Sequence, residues 1–408
     1  MPGTAKWTCM IYMAGDNSLS DAVVTDLSEM RKVASTPDVH VVVQYDQAQN
    51  KGARRFLLQK EPTKEDPTML GVIDSGDPKT LLDFVDWALG KYKAERYALV
   101  LWNHGSGWAP WDVDTIARST SAQIYDQREA IQHSHSRLGK TFFTTTLKHI
   151  FEIPSPSERA ICSDDGSGHA LDTVELGNVL AKVKKMLGQP LDLLGMDACL
   201  MSNIEVAYQA SPYVNYIVGS EETEPTDGWP YQQVLQAIVD NPSGPTQELA
   251  AAVVAAYVKW YNDNDARDTV TQTALDLSKI DTVVGPLDTL ADTLIAGMPK
   301  SAFDLWRALK KTTSFYEGTV WDIGGLCAHL GAESNTALRA AAQLAQVSVK
   351  PGAGNFIIAQ SHQGAALQKC CGLSVYIPPN TEVSRFYKDL DFAKKHRWFS
   401  MLEKYQKV

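Results

Sequence analysis

Cysteine, zinc-binding words and long apolar runs are all scarce in this 408-residue chain. Its six cysteines (Cys9, Cys162, Cys199, Cys327, Cys370 and Cys371) are far too sparse for a disulfide scaffold. Neither C-x-x-C nor H-E-x-x-H occurs, which argues against a structural zinc site and a zincin. No run approaches the ~18 apolar residues of a membrane span. Positive charge is also short: 38 Lys and Arg face 48 Asp and Glu, a net charge of −10. An acidic surface attracts neither phosphate backbones nor anionic lipids, so nucleic acid and membranes are not expected as partners, whereas basic peptides suit it. Internal repeats and low-complexity tracts are missing. The opening apolar run Trp7–Met13 is short and reaches Asp16 without a clear cleavage site. It reads as a first core strand, and the expected compartment is the cytoplasm. A hydrophobic fraction of 44% with 21% charged residues describes an ordinary globular protein, long enough for two domains or one domain with an appendage.

Strand-like runs at 7–13, 39–45, 55–60, 97–102, 190–196 and 214–219 alternate with helical patterns at 20–34, 79–93, 173–187 and 203–210. Such alternation is the grammar of β-α-β units and a mostly parallel sheet flanked by helices. Asp172 followed three residues later by Glu175 predicts a capping box at the start of the third helix. After about residue 245 helices dominate, at 246–261, 279–296, 301–312 and 334–347, with short strands near 270–276, 354–360 and 372–377. A division into an α/β domain over 1–260 and a mainly helical domain with short strands over 261–408 follows. The polar stretch 112–159 has weak periodicity, allowing a helix only around 122–132, and carries Arg118, Arg128, Arg137, Lys140, Lys148 and Arg159. It reads as a long exposed insertion, and insertions of this length in a compact domain are usually functional or disordered.

Chemistry concentrates at two strand ends. In Tyr97–Trp108 an apolar run stops at Asn103-His104-Gly105, and in Leu191–Met201 another stops at Asp197-Ala198-Cys199. Free cysteine, with a reference pKa of roughly 8.5, is only a few per cent ionised at neutral pH, so a nucleophilic thiol needs a proton acceptor such as imidazole. The two residues are far apart in the chain, and an open parallel sheet brings such positions together at the carboxyl ends of its strands. Other motifs have simpler readings. Leu138-Gly-Lys-Thr141 lacks the earlier glycine of a phosphate loop, since Ser134 stands there. His133 and His135 read as solvated, Asp164 and Asp165 sit in a glycine turn with Gly166 and Gly168, and Cys370 and Cys371 read as buried thiols. Trp108 and Trp111 fit either a cleft wall or core packing.

The words Asn103-His-Gly-Ser-Gly-Trp108, Asp197-Ala-Cys-Leu-Met201 and Tyr12-Met-Ala-Gly-Asp-Asn17 resemble the clostripain family of cysteine peptidases, within the group of caspase-like folds. Ser163-Asp-Asp-Gly166, Leu171-Asp172, Asp227-Gly-Trp-Pro-Tyr231, Ala274-Leu-Asp-Leu-Ser278 and Gly372-Leu-Ser-Val-Tyr-Ile377 extend the likeness in the right order from residue 7 to about 380. The resemblance implies an endopeptidase cutting after Arg or Lys, with Cys199 as nucleophile and His104 as general acid and base. It also implies that the backbone N–H groups of Gly105 and Cys199 hold the oxyanion, and that Asp197 and Asp227 lie in the specificity pocket. Relatives made as zymogens imply self-cleavage between histidine and cysteine, in 112–160, although this insertion looks longer than the usual spacer. No cofactor is expected; some relatives depend on calcium, but no D-x-[DN]-x-[DN]-G loop is present to hold it. Two other readings of the same residues stay open: a catalytically inactive interaction module of this fold, and a transpeptidase or ligase. The sequence does not give the oligomeric state.

Overall fold

The structure, a computed structural model, describes residues 4–17, 19–48, 51–105, 107–108, 171–264, 269–379 and 382–408. The 112–159 insertion with its 122–132 helix, the His133/His135 pair, Trp111, Cys162 and the Ser163–Gly166 word lie outside the described residues.

Nine strands form one sheet: β1 (Ala5–Met13), β2 (Val39–Tyr45), β3 (Ala53–Leu57), β4 (Thr68–Gly71), β5 (Ala94–Trp102), β6 (Leu191–Asp197), β7 (Val214–Gly219), β8 (Val270–Asp276) and β11 (Ile357–Gln363). Their order is β11-β8-β7-β6-β5-β1-β2-β3-β4. The five inner strands, β2-β1-β5-β6-β7, are parallel, and the two on each flank pair antiparallel. A small antiparallel sheet holds β9 (Ser314–Phe315), β10 (Val320–Asp322) and β12 (Ser374–Tyr376). The protein is thus a mixed α/β structure with a large, mostly parallel central sheet flanked by helices.

Both faces of the inner strands are covered, which explains why they read as almost unbroken apolar runs. On β1 the side chains alternate with period two. Trp7, Cys9, Ile11 and Met13 join Val100 of β5 in one core, which takes up Leu27 of α1 (Ala22–Val33). The same core holds Leu235 of α5 (Tyr231–Asp240) and Val254 of α6 (Thr246–Asn264). Met10 and Tyr12 point the other way, with Leu99, Leu101, Leu194 and Met196, into a core completed by α2 (Pro78–Lys91), α3 (Thr173–Leu187) and α4 (Ile204–Ala210). That second core also receives the helices beyond residue 270: α7 (Asp281–Gly297), α8 (Lys300–Leu309), α9 (Ile323–Leu330), α10 (Thr336–Ser348) and α11 (Trp398–Tyr405). Residues beyond 260 therefore supply two strands of the main sheet and much of one face of its core. The capping box at α3 forms: Asp172 accepts from the Glu175 N–H at 2.6 Å, and the Glu175 side chain accepts from the Asp172 N–H at 3.0 Å.

Candidate active site

The parallel pairing of β5 with β6 sets Trp102 opposite Asp197. His104 and Cys199 each follow two residues later, so the two candidate groups leave adjacent strands at the same level of the carboxyl rim. Neighbouring strands lie about 4.8 Å apart. Pairing persists beyond the strand ends, with Asn103 N–H donating to Asp197 O at 3.4 Å and Ala14 N–H to Trp102 O at 3.2 Å. The His104 segment is held by amides: the fully buried Asn103 accepts through Oδ1 from its neighbour's N–H (His104, 2.6 Å) and from Asn17 Nδ2 (3.1 Å). Asn17 itself donates to Ala14 O, which fixes the loop after β1. The loop after His104 then meets the turn after Cys199. Gly107 has φ +64°, and a Cβ there would stand 3.0 Å from the Leu200 carbonyl oxygen, so glycine is required on both counts.

Leu200 adopts φ +64°, an unusual conformation for a side chain of its size. The turn is secured by Leu200 N–H to Glu222 O (3.2 Å) and Ser202 N–H to Ser220 O (2.8 Å), which tie it to the segment following β7. The Cys199 sulfur accepts from the Glu224 N–H at 3.0 Å. Cys199 is fully buried, packed with Leu200, Phe315, Val320, Leu367 and Cys370. His104 is buried too, at 4% exposure. Sulfur and imidazole thus share a rim that is closed to solvent. Burial pushes the Cys9 thiol up to about 12 and drives those of Cys327, Cys370 and Cys371 well above the ordinary cysteine range.

Two buried acids lie beside Cys199. Asp197 is fully buried and accepts from the Tyr231 hydroxyl at 2.9 Å. Glu224 is also fully buried and accepts from Gln272 Nε2 at 3.4 Å. Tyr231 and Tyr257 are held well above the usual tyrosine range, first by burial and then by the carboxylates of Asp197 and Glu224; for Tyr231 Asp197 weighs most, for Tyr257 Glu224. Among the described residues no lysine or arginine is buried. Asp227, by contrast with these buried acids, is exposed, in a turn closed by Gly228 N–H to Pro225 O at 3.0 Å. Trp108 is core, packed edge-on against Tyr376 and Tyr387, which decides between its two readings. Glu224 is the residue that sequence reasoning missed, because three acids within Glu221–Glu224 look like a solvated charge run.

Comparison with known proteins places the chain in a family and agrees with its fold. The family model described as the clostripain family matches residues 11–134 and 150–405. The chain belongs to the clostripain family. Clostripain of Hathewaya histolytica is 25% identical over 234 residues, 51% of this chain but 36% of that protein, so the chain spans about a third of this relative's length. Among solved structures, an inactive zymogen C11 protease from Parabacteroides distasonis has a TM-score of 0.65 at 20% identity, covering 98% of this chain and 99% of that one. A secreted C11 cysteine protease from Bacteroides thetaiotaomicron, in complex with an irreversible peptide inhibitor, has a TM-score of 0.63 at 18% identity, with the same coverage. At these identities the two structures establish the fold.

Proposed function

We propose that this chain is a cysteine endopeptidase that cleaves peptide bonds after Arg or Lys. The observation that carries the reading is the register of β5 and β6, which delivers His104 and Cys199 to matched positions on one rim. In the reaction the Cys199 thiolate attacks the scissile carbonyl carbon, forming a C–S bond and an oxyanion held by the N–H groups of Gly105 and Cys199. The C–N bond breaks as His104 protonates the leaving amine, and His104 then takes a proton from the water that hydrolyses the thioester. Asp197 and Glu224 supply the negative recess for a basic side chain beside the scissile bond, and Asp227 contributes at its edge. A buried acid rejects an uncharged side chain because it would be left without its counter-charge.

Burial of Cys199 and His104 supports a latent form, opened by a self-inflicted cut within 112–160. The same burial favours a second reading, an inactive module. One experiment separates them. The purified chain should acquire a new N-terminus in that segment and hydrolyse an arginyl amide reporter, and both should vanish in Cys199→Ala and His104→Ala. An arginyl chloromethyl ketone should label Cys199 alone. Undiminished hydrolysis in Cys199→Ala would remove the peptidase assignment, and a folded chain that never reacts with the ketone would establish the inactive module.

A further inference from the structure

Three donors that the peptidase reading does not use meet behind the wall of the site. Glu221 follows β7, Asp322 ends β10, and Cys370 precedes β12; their ligating atoms all lie within 4.8 Å of one another, and all three residues are buried. Glu221 has no exposed surface, and neither of its carboxylate oxygens finds a partner with hydrogen-bond geometry, although the Asp322 carboxyl and the Gly372 N–H stand nearby. Asp322 is fixed in place, accepting from the Cys371 N–H at 2.7 Å and from the Gly325 N–H at the start of α9. The strand approach is equally fixed. Gly372 has φ +92°, and a Cβ there would collide with Thr273 and Gln360, while one on Gly324 would collide with Cys371.

We propose that Glu221, Asp322 and Cys370 form a zinc site. Two buried carboxylates and a thiol at this spacing cannot all ionise without a cation, since each would add unpaired negative charge to a dry interior. A divalent ion turns the repulsion into ligation, and the unpartnered Glu221 oxygens are the atoms it would take up. The donor set selects the metal. Zinc accepts Cys sulfur and carboxylate oxygen together in four-coordinate sites, whereas calcium requires six to eight oxygens, which this pocket does not offer. Three protein donors leave a fourth position for a small oxygen ligand. Cys370 retains 6% exposure, which provides the way in.

The site would brace the peptidase rim without touching substrate. Glu221 opens the segment in which Glu222 O holds the Leu200 N–H and the Glu224 N–H holds the Cys199 sulfur, while Asp322 and Cys370 belong to the small-sheet region. Zinc would join the two sides of that wall.

The test uses the full chain with Cys199→Ala, so that the candidate nucleophile cannot bind metal and the outcome does not depend on activity. After chelation and dialysis, this protein should take up one equivalent of zinc, raise its melting midpoint by several degrees and prefer zinc to calcium. Cobalt in place of zinc should give a thiolate-to-metal charge-transfer band. Adding Cys370→Ser or Glu221→Gln should cost most of the affinity, Cys370→Ser should abolish the band, and adding Cys371→Ser should preserve it. Absence of stoichiometric uptake by the folded Cys199→Ala chain would overturn the proposal. So would a band that survives Cys370→Ser, or one that disappears with Cys371.

Discussion

At the scale of single residues, the proposed preference for basic substrates rests on Asp197 and Glu224. Both are fully buried acids beside Cys199, so their loss should be felt by cationic substrates and hardly by neutral ones. Charge-assisted contacts are worth about 1.5–3 kcal/mol, so Asp197→Asn or Glu224→Gln should lower kcat/KM for an arginyl reporter roughly 10- to 100-fold. The ratio of arginyl to norleucyl hydrolysis by the activated enzyme checks this. An unchanged ratio in Asp197→Asn would take Asp197 out of the pocket. The two acids differ in how far the sequence exposes them. Asp197 ends an apolar strand two residues before a cysteine, a position that invites a role. Glu224 sits among other acids, and only the fold reveals that β7 carries this run inward, where its backbone meets the Cys199 sulfur.

Elements were legible where their burial leaves a periodic trace. The runs at 39–45 and 214–219 correspond to β2 and β7 without adjustment, and the third helix begins at its predicted cap. β4 left no such trace: Thr68–Gly71 is an edge strand whose side chains are exposed or only half buried, so no apolar alternation marks it. α5 was hidden behind the turn-like word Asp227–Tyr231, which leads directly into it. That β8 and β11 extend the main sheet could not be read from the chain either, because strand pairing across distant segments leaves no local signal. At this scale the reciprocal cap of α3 is open to test. Asp172→Ala leaves the Glu175 N–H without its acceptor and should cost about 1 kcal/mol of stability, read as a lower urea midpoint with little change in slope. No change in midpoint would mean that water replaces the cap without loss.

For the molecule as a whole, Glu205 ties the middle of the chain to its C-terminal part. Buried on α4, it accepts from the Tyr387 hydroxyl at 2.7 Å and from the Tyr376 N–H at 3.1 Å. Burial raises its carboxyl to about 7 against an ordinary 4.5, the hydrogen bonds offsetting only part of that. The folded form therefore holds its proton more tightly than the unfolded chain. The resulting stabilisation is complete below pH 4.5 and is lost as pH rises through about 7. The full effect is on the order of 3 kcal/mol, from ~1.4 kcal/mol per unit. Urea midpoints taken across this window should fall more steeply for the parent than for Glu205→Gln; parallel profiles would show that Glu205 does not titrate there.

The adjacency of β5 and β6 has one more consequence. β5 is the last strand before residue 109, β6 follows α3 after residue 170, and the two strands lie side by side in the middle of the sheet. Severing the polypeptide between them would yield two fragments interlocked by a shared ladder, neither possessing a whole interior of its own. The nicked molecule would keep the size of the parent in native buffer and come apart only when unfolded, and a fragment made alone would have no partner strand on which to complete itself.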